Sequence, residues 1–151
     1  MLLEKATLWG STSALLFAAA QFAVTPSLWF EPVAFDVPDV QALTLDTPVA
    51  YDRIIRRDFD GRWQIEVVRL VDGGTEFACA TNWHDVPYRA DNVLPDVVTW
   101  GWMLDGDDTC LDLTPGQYQV TLTWQINIHS AFIRRQISRA DRFSIVEAAA
   151  K

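Results

Sequence analysis

The chain has 151 residues, 20 acidic against 12 basic side chains, a formal net charge of −8, and apolar side chains at half its positions. That length suits one domain with an appended segment, and so apolar a composition excludes a disordered chain. The acid excess excludes a nucleic-acid surface, which needs clustered Lys and Arg to meet phosphate.

Charge stops at Lys5 and resumes at Glu31, and the 25 residues between read ATLWGSTSALLFAAAQFAVTPSLWF. About 20 mostly apolar residues in a helix cross a hydrocarbon core of about 30 Å, so residues 1–30 are expected to form an amino-terminal membrane anchor. Trp9 and Trp29 are 20 positions apart, which suits the two membrane interfaces, where Trp is enriched. A signal peptide is the alternative, because Ala18-Ala19-Ala20 before Gln21 is an acceptable small-residue cleavage site. Against it, Glu4 stands beside Lys5 and the apolar run continues through Phe22, Val24 and Leu28. A third reading makes the run a buried helix of a soluble fold. Lys5 precedes the run and Glu31, Asp36 and Asp39 follow it. Because positive charge stays inside, this bias places the amino terminus in the cytoplasm and the carboxyl-terminal domain in the periplasm or outside the cell. Gly10, Ala14 and Ala18 fall four apart, a small-residue stripe suited to a helix partner or a homo-oligomer.

From residue 31 to 147 alternation replaces helical periodicity, and the expected class is mainly β. In chain order the strand candidates are Val40 to Leu45, Val49 to Arg57, Arg62 to Val71, Thr75 to Thr81, Val97 to Leu104, Gln117 to Ile128 and Arg142 to Val146. Asp72-Gly73-Gly74 joins the third and fourth as a hairpin. In Gln117 to Ile128, six apolar residues from Tyr118 to Ile128 alternate with six polar ones. Seven short strands with Pro-marked turns indicate an antiparallel sandwich rather than a parallel sheet. Residues 148–151 are a helix-favouring tail. Cys79 and Cys110 are the only cysteines. They lack the repeated pairs of a zinc site, and a disulfide between them suits an exported domain. It would tie a loop to a strand.

The stretch LTPGQYQVTLTW at 113–124 resembles the late-strand signature of immunoglobulin-like and fibronectin-like domains. The resemblance implies that Tyr118 bonds to backbone upstream and closes a corner. With YDRIIRRDFDGRW at 51–63 and YRADNVLPDVVTW at 88–100, the layout is similar to small membrane-anchored immunoglobulin-like proteins encoded in bacterial prophages. These segments form no defined motif set and carry over no functional residues.

Few residues suggest chemistry. His84 and His129 are too few for a three-ligand metal site, and no nucleophile motif or phosphate loop occurs. Asp105, Asp107, Asp108 and Asp112 read as an acidic turn without EF-hand spacing. As a strand, Val97 to Leu104 would turn Trp100 and Trp102 to one face, either joining a core face with Trp63 and Trp124 or, with Trp83, forming a stacking surface. Arg53, Arg56 and Arg57, with Arg134, Arg135, Arg139 and Arg142, form a second candidate surface, for an anionic headgroup or glycan. The candidate binding residues are therefore Trp83, Trp100, Trp102, Arg53, Arg56 and Arg57. The sequence reads as a non-catalytic, membrane-anchored interaction or assembly module, with no catalytic residue, metal or cofactor expected. The alternative is a carbohydrate- or cell-envelope-binding module that uses exposed Trp side chains.

Overall fold

The computed structural model describes residues 25–128 and 133–147. Strand β1 (Phe30–Asp36) follows a 3-10 turn at Pro26–Leu28 and pairs antiparallel with β2 (Ala50–Ile55). The pairing shifts register between Pro32 and Ala34, where proline has no N–H to offer the ladder. The larger sheet holds β3 (Phe59–Val71), β4 (Gly74–Ala80), β5 (His84–Tyr88), β6 (Gly116–Ile128) and β7 (Ile133–Ile145). Its order is β4-β3-β6-β7, all antiparallel, and β5 pairs with β3 beyond the end of β4. Among the described residues the protein is thus mainly β, in two antiparallel sheets.

The two sheets meet through alternating side chains. Ile65 and Val67 of β3 lie opposite Leu122 and Val120 of β6, and all four are buried. Phe30 of β1 packs edge-on against Phe59 and Tyr88 and tilts onto Trp124. The outward positions of β6, from Gln117 through Asn127, are the polar half of the alternation read from the sequence. The β3–β4 hairpin turns where the Gly pair predicted it, with Gly73 at φ +87°, a value costly for any residue with a Cβ. Tyr118 donates its hydroxyl hydrogen to the carbonyl of Thr114 at 2.6 Å, which closes the corner before β6.

Other elements depart from the sequence reading. The fold begins earlier than residue 31: Phe30 is fully buried, and Trp29 is half-buried against the core with Arg57 over its ring at 5.6 Å. A gap in charge cannot separate the last turn of a span from an apolar first strand. Trp29 thus follows the 3-10 turn and packs on the domain. No described helix is long and apolar enough to cross a membrane. Residues 1–24, including Trp9 and the stripe Gly10, Ala14 and Ala18, lie outside the described residues, as do His129 and the tail 148–151. Val40 to Leu45 forms no strand; only Val40 bridges, in parallel, to Ile145. Strand β7 runs nine residues further back than Arg142. Its Arg-rich alternation masks the pattern but suits an edge strand, where charge discourages pairing with other chains.

Cys79 on β4 is joined to Cys110, with Cα atoms 5.5 Å apart. Cys110 sits in the segment after the short helix α1 (Trp100–Leu104), so the bridge ties a loop to a strand. Nearby, Thr109 donates to the carbonyl of Ala80 at 3.2 Å and Asp107 accepts from the backbone N–H of Asn82 at 3.1 Å. Two hydrogen bonds from Thr109 and one from Asn82 hold the Asp107 carboxyl below the usual range. The bridge closes a loop with a sequence separation of 31, and in the chain-entropy account such a loop contributes about 3–4 kcal/mol. The double variant Cys79→Ser/Cys110→Ser should lose that amount in urea unfolding, and reduced wild type should match it. A loss below about 1 kcal/mol would contradict the assignment.

Candidate functional site

Helix α1 is where structure and sequence differ most. The sequence alternates over Val97 to Leu104, but the backbone turns helical at Trp100. Thr99 caps it, its hydroxyl accepting from the N–H of Trp102 at 3.2 Å. Trp100, Met103 and Leu104 then share one buried face, the i, i+3, i+4 spacing of a helix. Residues two apart on a helix point to nearly opposite sides. Trp100 is accordingly 0% exposed and Trp102 43% exposed, so the shared face expected of a strand does not exist. The Trp100 indole N–H donates to the carbonyl of Cys110 at 3.2 Å. Gly101 lets the helix lie against the preceding loop: its N–H donates to Leu45 at 2.8 Å, and a Cβ there would sit 2.9 Å from the same carbonyl oxygen.

Below Trp102 the inner face of β3 is incompletely covered. Ile65 and Val67 are sealed, but Trp63, next on that face, is only half-buried. Here a cleft of about 300 Å³ opens, lined chiefly by Arg53, Trp63, Val86, Gly101, Trp102 and Asp105. A smaller cavity of about 20 Å³, here called the annex, shares the lining residues Arg53, Trp63 and Trp102 with it and is also lined by Tyr51, Tyr88 and Trp124. That is room for about one water-sized atom.

Aromatic contacts hold the lining in place. Tyr51 stacks on Trp124 with ring centres 6.3 Å apart and meets Trp102 at 6.1 Å. Trp63 stacks on His84, its cross-strand neighbour, at 4.6 Å. His84 Nδ1 lies 3.3 Å from a carboxylate oxygen of Asp105, the residue that ends α1 in the left-handed conformation at φ 50°. The guanidinium of Arg53 stands 5.1 Å over the Tyr88 ring and 5.8 Å over that of Tyr51. Burial pushes both phenols above their ordinary pKa, against a smaller downward pull from Arg53. Both therefore remain neutral O–H donors at physiological pH.

Two polar groups in the annex wall lack partners. The Nε of Arg53 and the hydroxyl of Tyr88 are buried without a hydrogen bond of normal geometry. Among the described residues Arg56 pairs with Glu31 and Arg89 with Asp60, and the His84 ring contacts the Asp105 carboxylate. Arg53 has no carboxylate partner among them.

Of the six candidate binding residues, the structure brings Arg53 and Trp102 together. Trp100 is core. Trp83 is half-buried beneath the guanidinium of Arg62, 4.7 Å from its ring centre, and Arg62 occupies the strand position opposite in facing to Trp63. Arg56 and Arg57 stand instead where the chain enters the domain, one paired with Glu31 and the other over Trp29. The arginine segment therefore divides between two places. Sequence reasoning missed Trp63, His84 and Asp105 as site residues. Alternation assigned Trp63 to the correct face, but periodicity cannot show where that face is left uncovered. Among the described residues no three His, Cys, Asp or Glu side chains gather for a metal: Asp105 turns to His84, and Asp107 to Asn82 and Thr109.

No protein-family model, curated protein or solved structure matches this chain.

The two tryptophans of α1 should respond differently to truncation. Trp100→Ala should cost about 3–5 kcal/mol in chemical unfolding. Trp102→Ala should cost about 1 kcal/mol or less, as expected near a surface. Equal costs would contradict the helical reading of this segment.

Proposed function

We propose that this chain is a non-catalytic binding module whose ligand is a carbohydrate of the cell envelope, seated in the cleft between α1 and the β3–β5 edge. The observation that carries this reading is the pair Trp63 and Trp102 lining one cleft of about 300 Å³ with a cation and a carboxylate beside them. Ligand pockets have this character, an apolar lining with a few placed polar groups. Aromatic faces take the C–H faces of a sugar ring, and Arg and Asp take its hydroxyls. Catalysis is disfavoured because Asp105 is the only carboxylate lining the cleft among the described residues, and glycoside cleavage ordinarily needs a pair.

The wider setting belongs to the same proposal. The two-sheet fold, the Tyr118–Thr114 bond and the Cys79–Cys110 bridge suit an immunoglobulin-like sandwich displayed outside the cytoplasm, from a prophage or its host. An amino-terminal anchor would hold it at the membrane its ligand surrounds. A reporter fused after Lys151 should be active only outside the cytoplasm, and the chain should resist carbonate extraction. A mature protein starting at Gln21 would replace the anchor with a secretion signal.

Binding is tested with the full-length chain in detergent, sedimented with cell-wall sacculi, chitin, and neutral and acidic polysaccharide beads. Wild type should be retained on at least one of them. Trp102→Ala should weaken retention about tenfold or more, while costing about 1 kcal/mol or less of stability. Absence of retention on every polysaccharide would overturn the carbohydrate reading and leave a protein partner as the alternative.

A further inference from the structure

We infer that the cleft selects a carboxylate-bearing sugar, one oxygen of whose acid group enters the annex while the group pairs with Arg53. The inference rests on the carbohydrate reading above and adds the charge of the ligand.

Three observations converge on it. First, Arg53 is a half-buried cation without a counter-ion among the described residues, whereas Arg56 and Arg89 each have one. A guanidinium withdrawn from water is costly unless an anion meets it, and the rings of Tyr51 and Tyr88 offset only part of that. Second, the Nε–H of Arg53 and the O–H of Tyr88 make no hydrogen bond of normal geometry, and both belong to side chains lining the annex. Two such donors around about 20 Å³ describe a seat for one oxygen atom. A carboxylate accepts from both and leaves its second oxygen for the rest of the guanidinium fork. Third, the annex and the cleft share Arg53, Trp63 and Trp102 in their walls. A group bound at Arg53 is therefore carried on a ring that these indoles can face.

The other end of the cleft suits the remainder of such a molecule. Asp105 is paired with His84, and its side chain remains 66% exposed. It can accept hydrogen bonds from sugar hydroxyls, while its negative charge repels a carboxylate from that end. The lining thus offers a cation and an exposed carboxylate on different elements, β2 and the end of α1.

The test compares trigalacturonate with its methyl ester, which keeps the rings and removes the charge. Intrinsic tryptophan fluorescence of the full-length chain reports both titrations. Trigalacturonate should bind at least tenfold more tightly than the ester. Arg53→Gln should abolish the preference, Arg53→Lys should restore part of it, and Trp102→Ala should weaken both ligands. Acetate and phosphate at the same concentration should leave the fluorescence unchanged. Equal affinity for acid and ester, unaffected by Arg53→Gln, would overturn the inference and leave the carbohydrate reading standing. So would binding to neutral polysaccharide alone. An equal response to acetate or phosphate would reduce the site to one for simple anions and overturn the inference. Failure to bind any saccharide would overturn both readings.

Discussion

One edge of β3 is shared by two strands, and the rest of the molecule is arranged around the break between them. Strand β4 pairs along the second half of β3, from Glu66 to Val71, and β5 along the first half, from Phe59 to Trp63. Between them the chain leaves the edge, and Ile65 needs another partner there. Thr81 supplies it, its backbone N–H donating to Ile65 and its hydroxyl accepting from the N–H of the same residue, at 2.9 and 3.0 Å. The Cys79–Cys110 bridge, Asn82 and Ala80 then fasten the segment after α1 to this same break. That anchorage sets α1 beside a sheet face with Trp63 left partly open. The cleft follows from how the edge is divided.

Within the cleft, packing and electrostatics act on the same side chains. Tyr51, Tyr88 and Trp124 are buried rings in mutual or shared contact, and the half-buried Arg53 guanidinium stands over the two phenol rings. Burial raises both phenols above their ordinary pKa, so they stay uncharged beside the cation.

Much of the fold could be read along the chain, for reasons that differ by element. Strand β6 was legible because one face is sealed and the other solvated, which is the condition under which alternation is strict. The β3–β4 hairpin was legible from its Gly pair, and the disulfide from elimination among two cysteines. Strand β5 was hidden by its length and by Pro87, which an edge position tolerates. Helix α1 was hidden because five residues can satisfy a period of two and the spacing i, i+3, i+4 together. Trp100 and Trp102 fit a strand, while Trp100, Met103 and Leu104 fit a helix, and the Thr99 cap decides between them. Strand β1 was hidden because Phe30 closes an uncharged run long enough to resemble a membrane span. The site was half legible: Arg53 and Trp102 were visible as residue types that dominate recognition. That they meet Trp63 and Asp105 depends on contacts from β2, β3 and α1 that no local pattern encodes.

The central claim, that recognition happens between Trp63, Trp102 and Arg53, is tested most directly by side-chain NMR of the full-length chain. The indole N–H and Arg Nε–H resonances would be followed as trigalacturonate is added. The account predicts shifts of Trp63, Trp102 and Arg53 with one common affinity, while Trp83, on the opposite face, and Trp100, in the core, stay in place. Shifts centred on Trp83 and Arg62, or a saturating interaction that leaves Trp63 and Arg53 unmoved, would contradict it.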